Sequence, residues 1–175
     1  GLGIPAEPLF RSRSNFEDEN TESFVLALQA KSGDGDVTHE AEITDGVGKN
    51  DSRGLMVSSM ADAYETWSTQ LFVKLGEPLT EGMKWRFTMD VKADAAAHIT
   101  TGSHAAPRKW VAGGIINEFD VTDEWQTITA EGTIDADHNK GIQSIAFDLN
   151  NDKVNANTFY FDNINFEVFK LGTVA

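Results

Sequence analysis

Two acidic residues near opposite ends of the sequence have the chemistry of a cation site. Asp162 lies within NTFYFDNINFEV (157–168), a segment otherwise typical of a β-strand. Asp and Asn are poor strand formers, and a carboxylate among phenylalanines needs a compensating partner. Glu17 follows Phe16 in SNFEDEN. If the first and last strands of a sheet lie side by side, these carboxylates meet, and they repel one another unless they share a proton or bind a cation.

Calcium is the cation that this pair predicts. Ca²⁺ takes six to eight oxygen ligands in tolerant geometry, and carboxylates supplemented by backbone carbonyls provide them. The carbonyl donors cannot be recognised in the sequence. The alternative is that Asp162 caps a strand bulge by accepting backbone N–H bonds, which leaves Glu17 unexplained.

Other polar and aromatic residues have the chemistry of a sugar site. Sugars present hydroxyl groups and patches of C–H, which proteins bind with amides, carboxylates, guanidinium groups and aromatic faces. A glutamine among apolar strand residues, as in WSTQLFVKL, needs hydrogen-bond partners. The candidate ligand residues are Trp67, Gln70, Phe72, His104, Trp110, Asp148 and Asn150. For Trp67 the alternative is a core position, because strand parity places it with Leu71.

The acidic segment EFDVTDE (118–124) is the one candidate for catalysis. It is similar to the E-x-D-x-x-E signature of jelly-roll β-glucanases, but its third acid is Asp123, one carbon shorter than Glu. Retaining hydrolysis requires two carboxyl groups about 5–5.5 Å apart in a substrate cleft. We interpret this segment as a solvated turn. DADHNKG (135–141) lacks the spacing of an EF-hand calcium loop, and a hairpin turn explains it better.

The elements that position these residues are short β-strands. Alternation of apolar and polar residues, with turn clusters between the segments, predicts strands at 22–30, 53–60, 69–75, 84–93, 125–134, 142–149 and 158–169. In the 84–93 strand Trp85, Phe87, Met89 and Val91 share the core side. The segment 59–67 is compatible with one helical turn, and TTGSHAAPRKW (100–110) is predicted to be a loop. The pattern predicts an all-β fold, an antiparallel β-sandwich.

The amino-acid composition limits the classes of molecule that the protein is expected to bind. The 175 residues carry 28 acidic and 14 basic side chains, a formal net charge of −14, which argues against nucleic acid or an anionic membrane and suits neutral ligands or cations. The absence of cysteine excludes disulfides and thiolate chemistry. We expect no membrane insertion and a monomer. Residues 1–13 are expected to be a linker remnant of a longer protein, 14–170 the sandwich and 171–175 a tail.

A set of motifs in a fixed order resembles one known family. NFE near the start, W-x-x-Q before an apolar strand, L-x-x-G leading into FTMDVKADAA, and the terminal FYFDNI resemble jelly-roll carbohydrate-binding modules attached to bacterial xylanases, cellulases and related glycan-degrading proteins. The resemblance covers about residues 14–169. It implies a sandwich of the jelly-roll, galactose-binding-like kind, in which Glu17 and Asp162, together with backbone carbonyls, hold a structural calcium. It also implies that Arg53 is a candidate sugar ligand, because some related modules carry a sugar-binding arginine at this place.

The resemblance also implies a function. We expect a non-catalytic module that targets a linked enzyme or surface protein to a β-linked polysaccharide, with xylan or β-glucan as the expected classes, outside the cell or at its surface. One alternative is a catalytic jelly-roll hydrolase or lyase. Another is a structural or adhesion sandwich that binds no sugar.

Overall fold

Nearly all regular structure in the described part of the chain is β-strand, as the alternating pattern predicts. A computed structural model describes residues 8–18, 20–29 and 37–170. Its strands are β1 (Phe10–Ser14), β2 (Phe24–Leu28), β3 (Val37–Glu40), β4 (Ile43–Thr44), β5 (Gly54–Ser58), β6 (Thr69–Lys74), β7 (Met83–Ala93), β8 (Ala97–His104), β9 (Trp110–Val111), β10 (Phe119–Val121), β11 (Gln126–Thr133), β12 (Ser144–Asp148) and β13 (Thr158–Lys170). Short 3₁₀ turns occupy Lys49–Asp51 and Ala136–His138.

The strands form two antiparallel sheets that pack face to face. In the six-stranded sheet the order is β11-β7-β13-β5-β4, and β1 also pairs with β13. In the seven-stranded sheet the order is β10-β8-β12-β6-β2-β3, and β9 pairs with β8. The first and last strands are therefore neighbours, with Ser14 opposite Ile164. The antiparallel β-sandwich predicted from the sequence is confirmed.

Strand parity also predicts which face is the core. Trp85, Phe87, Met89 and Val91 of β7 are all buried between the sheets. They meet the inward side chains of the other sheet, which are Leu71, Val73, Ile145 and Phe147. The phenylalanines stack across the interface, with the ring centroids of Phe87 and Phe147 5.7 Å apart. Burial of these apolar side chains is the main stabilising contribution to the sandwich.

Several local predictions are wrong. Residues 59–67 form bends and turns, with no helical turn. The backbone groups are bonded elsewhere, because the carbonyl of Met60 accepts from the Asn150 side chain and the amide of Glu65 donates to the Ser68 hydroxyl. Residues 100–104 belong to β8 and are not a loop, since Thr100 and Thr101 pair with Asp148 and Phe147 of β12. The first strand starts at Phe10, inside the segment 1–13 expected to be a linker remnant; residues 1–7 of that segment and the expected tail, 171–175, lie outside the described residues. No helix in the described ranges has the length and apolarity that a membrane span requires.

Candidate functional site

A cleft of about 480 Å³ opens on the outer face of the seven-stranded sheet. The strand register accounts for its polar side chains. Gln70 of β6, Asp148 of β12 and Thr100 of β8 are aligned in one row on the side of the sheet away from the core. Of the eight residues predicted to bind a ligand, five line this cleft: Trp67, Gln70, His104, Trp110 and Asp148. Gln29, Thr101, Gly102 and Arg108 complete the lining.

The floor of the cleft is a chain of hydrogen bonds centred on Asp148. The Gln70 amide Nε2 donates to Asp148 Oδ1 at 2.6 Å, and Thr100 Oγ1 donates to Oδ2 at 2.8 Å. Burial raises the pKa of the Asp148 carboxyl, while these two bonds and the charge of Arg108 act in the opposite direction. Two strand neighbours therefore fix the orientation of this carboxylate.

Arg108 spans the cleft above this floor. Its Nη1 donates to the backbone carbonyl of Trp67 at 2.7 Å and to Gln70 Oε1 at 2.8 Å. Arg108 lies in the turn between β8 and β9, with a left-handed φ of 68°. Sequence reasoning missed this residue. The only signal was the pair of basic residues between His104 and Trp110, and sequence spacing gives no sign that one of them reaches β6.

Two tryptophans form the rims of the cleft. Trp67 lies two residues before the start of β6 and is 44% exposed. Trp110 opens β9 opposite His104 and is 69% exposed. The alternative core position for Trp67 is wrong, because the chain turns at residues 66–68 and does not continue the strand alternation. Large exposed rings beside a polar floor offer apolar faces to a ligand.

His104 lines the cleft, and Phe72 lies directly beneath it. The two rings meet edge to face with their centroids 4.8 Å apart. Phe72 is fully buried on the cleft side of the sheet with Ala27 and Ala146, so it supports the floor and offers no face to a ligand. Burial, with a smaller effect of the Arg108 charge, lowers the pKa of His104 to about 4. Its imidazole is therefore neutral at neutral pH.

The remaining predicted ligand residues lie outside the cleft. Asn150 is fully buried, and its Nδ2 donates to the carbonyl of Met60 at 2.8 Å. It lies two residues after Asp148, the last residue of β12, where strand alternation no longer applies. Arg53 precedes β5 in the other sheet, and its Nε pairs with Asp45 Oδ1 at 2.9 Å.

Glu17 and Asp162 hold opposite sides of one loop. Asp162 Oδ2 accepts from the amide of Lys49 at 2.9 Å and from the hydroxyl of Ser52 at 3.1 Å. Glu17 Oε1 accepts from the amide of Arg53 at 2.8 Å. Asp162 Oδ1 accepts from the amide of Asn163 at 2.7 Å, at a bulge where β13 shifts its register with β7. Asp162 thus makes the bulge-capping bonds of the alternative interpretation.

The same loop also brings together oxygens of the two kinds that Ca²⁺ binds, carboxylate and backbone carbonyl. Gly48 is buried, and a Cβ at this position would lie 2.7 Å from Asp162 Oδ2 and in contact with the carbonyl oxygen of Arg53. A carboxylate and a carbonyl oxygen therefore converge where only glycine fits, and Glu17 lies at the same loop. The described residues contain no group of three His, Cys, Asp or Glu side chains around one metal position. Glu17 and Asp162 would hold the ion together with backbone carbonyls.

The candidate catalytic acids lie elsewhere. Glu118 Oε1 and Asp120 Oδ1 contact the two nitrogens of the same imidazole, His98, at 3.4 and 2.7 Å. Both carboxylates are largely exposed, and the hydrogen bond to Asp120 raises the pKa of His98. Asp123 lies in the turn between β10 and β11. Among the described residues that line the cleft, Asp148 is the only acid.

Comparison with solved structures identifies the fold. The chain is similar to a CBM4 structure, with 20% identity, coverage of 96% of this chain and 98% of the other, and a TM-score of 0.58. For the CBM22-1 xylan-binding domain of Paenibacillus barcinonensis Xyn10C these values are 12%, 97%, 99% and 0.63. For the Clostridium thermocellum xylanase 10B CBM22-1–GH10 modules, solved with xylohexaose, they are 16%, 97%, 30% and 0.60. No protein-family model and no curated protein matches.

Proposed function

We propose that this chain is a non-catalytic carbohydrate-binding module that targets a linked glycan-degrading enzyme or surface protein to a β-linked polysaccharide, xylan or β-glucan. One observation carries the proposal. Trp67 and Trp110 stand exposed on the two rims of a cleft whose floor is the hydrogen-bonded row of Gln70, Asp148 and Thr100. The chain has the jelly-roll fold of carbohydrate-binding modules, which agrees with this assignment.

The chemistry of the cleft matches the two surfaces of a sugar chain. The indole rings offer flat apolar faces to the C–H side of a pyranose, and the amide and carboxylate of the floor offer acceptors and donors to its hydroxyls. The charges of Arg108 and Asp148 offset one another, and the whole chain is strongly acidic. This balance favours a neutral glycan over a polyanionic one.

The arrangement of acids disfavours the hydrolase alternative. A glycosidase needs a pair of carboxyl groups flanking the scissile bond, and the cleft lining described here contains Asp148 alone, bound by Gln70 and Thr100. Glu118 and Asp120 are engaged by His98. Two large exposed rings on the same cleft, beside a hydrogen-bonded polar floor, favour a binding surface over a purely structural sandwich.

Calcium, location and assembly complete the proposal. Glu17 and Asp162 hold a structural Ca²⁺ that braces the 48–53 loop against β13, on the sheet opposite the cleft. The module acts outside the cell or at its surface, as a monomer covalently linked to its catalytic or surface domains. The neighbouring structures include modules that are part of longer enzyme chains, which supports the linkage.

Affinity electrophoresis through gels that contain xylan, mixed-linkage glucan, laminarin or mannan tests the proposal. Retardation by at least one glycan is expected, and Trp110→Ala should abolish it. Trp125→Ala is the matched control, because Trp125 is half-buried on the other sheet beneath Lys92. If no glycan retards the wild-type protein, the structural alternative is favoured. Release of reducing ends that Glu118→Gln abolishes would restore the hydrolase.

A further inference from the structure

We propose that Arg108 is a positioning residue that sets the separation of the two tryptophan rims. The proposal rests on the function proposed above. Arg108 lies in the short connection between β8 and β9, and Trp110 is the first residue of β9, two positions further on, so a displacement of this turn moves both. Through Nη1, Arg108 is bonded to the backbone of Trp67 on the opposite rim and to the side chain of Gln70 on the floor.

The backbone conformation of the turn directs the Arg108 side chain towards β6. The amide of Ala105 donates to the carbonyl of Lys109 at 2.8 Å, and the amide of Lys109 donates to the carbonyl of Ala106 at 2.8 Å, which closes the turn tightly. Arg108 adopts φ 68° within it, a conformation that non-glycine residues rarely adopt and that the surrounding contacts must compensate. The side chain then reaches residues 38 and 41 positions earlier in the sequence.

The same contact orients the floor. A glutamine amide can be turned in either of two ways, and the choice decides whether its donor or its acceptor faces a neighbour. Arg108 binds Gln70 Oε1, which leaves Nε2 directed at Asp148 Oδ1. Loss of Arg108 releases the Trp67 carbonyl and this amide together. A lysine at this position keeps the charge but lacks the planar fork of donors.

The indole N–H resonances of the free protein and its affinity for a retained glycan, measured together, test this role. The chain has four tryptophans, so Trp85 and Trp125 serve as internal references. Arg108→Lys and Arg108→Ala should shift or double the Trp67 and Trp110 signals and leave the other two in place. Glycan affinity should fall about tenfold or more, given the strength of hydrogen bonds to a charged group. Lys109→Ala, which removes an exposed charge from the same turn, should change neither.

The outcomes separate the two proposals. Unchanged indole signals with weaker binding would make Arg108 a direct ligand and overturn the positioning role. Shifted signals with unchanged affinity would also overturn it. If the wild type binds no glycan, the proposed function fails, and the indole signals still decide whether Arg108 positions the rims. Should Arg108→Ala fail to fold, Arg108→Lys provides the same comparison.

Discussion

Asp148 and Asp162 are both partly or fully buried carboxylates, one in each sheet, and they are held in different ways. Asp148 is bound by side chains from two neighbouring strands in the same row, Gln70 and Thr100. Asp162 is bound mainly by backbone amides, those of Lys49 and Asn163, together with the Ser52 hydroxyl. Burial raises the pKa of both carboxyls.

The difference indicates what each carboxylate can do. Asp148 lines an open cleft between exposed rings, so an incoming hydroxyl group can reach it. Asp162 is 1% exposed and binds a loop to the last strand, so its hydrogen bonds stabilise the local structure. A buried carboxylate bonded within a sheet row can serve recognition, whereas one bonded to loop backbone serves stability. The following experiments test this division, starting with the largest expected effect.

Phe72→Ala and Trp67→Ala should separate the support of the cleft from its rim. Phe72 is fully buried, so its truncation should lower the free energy of unfolding by about 3–5 kcal/mol. Trp67 is 44% exposed, and its truncation should abolish glycan retardation while changing the melting temperature little. Denaturant titration and affinity gels measure the two effects. A Trp67→Ala protein that loses several kcal/mol of stability would show that the ring is a packing element.

Acid should destabilise the cleft side through His104. Its pKa is lowered to about 4 in the folded protein, from an ordinary value near 6.5. Below pH 6.5 the unfolded chain therefore binds a proton that the folded chain does not, and stability falls until about pH 4. The loss amounts to about 3 kcal/mol at most.

Asp148 opposes this trend, so His104 must be isolated by substitution. Because the pKa of the Asp148 carboxyl is raised, this residue adds stability as the pH falls towards 3.8. His104→Phe keeps an aromatic ring against Phe72 and removes the titration. The difference in unfolding free energy between this variant and the wild type should change with pH between about 6.5 and 4. A difference that is constant across this range would contradict the assignment.

Calcium should affect the loop and leave the cleft unchanged. At a calcium concentration one hundred times Kd the ion should stabilise the fold by about 2.7 kcal/mol, so a chelator should lower the melting temperature. Asp162→Ala should remove this sensitivity, and Asp148→Ala should retain it. Chelation at a temperature where the protein stays folded should leave glycan affinity as it was. Indifference of the wild-type melting curve to the chelator would sink the calcium proposal.

The two regions also differ in how much of them the sequence predicts. Strand parity placed Gln70 and Asp148 on one face, because both lie within regular strands whose side chains alternate. The same rule failed for Asn150 and Trp67, which lie just beyond the ends of β12 and β6. The core residues of β7 were predicted for the same reason that Gln70 was.

Contacts made through loops could not be predicted. The hydrogen bond from Arg108 to Trp67 depends on a positive φ in a turn. The binding of Asp162 to the 48–53 loop depends on backbone amides, which nearly every residue has. Side-chain chemistry carries no signal for either. The acidic pair of Glu17 and Asp162 could still be associated, because adjacent terminal strands and an unexplained carboxylate within an apolar strand point to a common partner.

Gln70→Ala should produce the smallest effect and give the sharpest view of the cleft. Each neutral hydrogen bond to a sugar contributes about 1 kcal/mol, so affinity should fall several-fold and not vanish. Stability should fall as well, by about 1–3 kcal/mol, because Gln70 is 4% exposed and its loss removes a partner from both Asp148 and Arg108. Gln126→Ala is the matched control, since its side chain binds the Asp120 carbonyl away from the cleft. Isothermal titration with a retained oligosaccharide measures the change.

Because the floor is one connected row, the losses of glycan affinity caused by Asp148→Asn and Gln70→Ala should be non-additive. Strictly additive losses would mean that the two side chains act on the glycan independently.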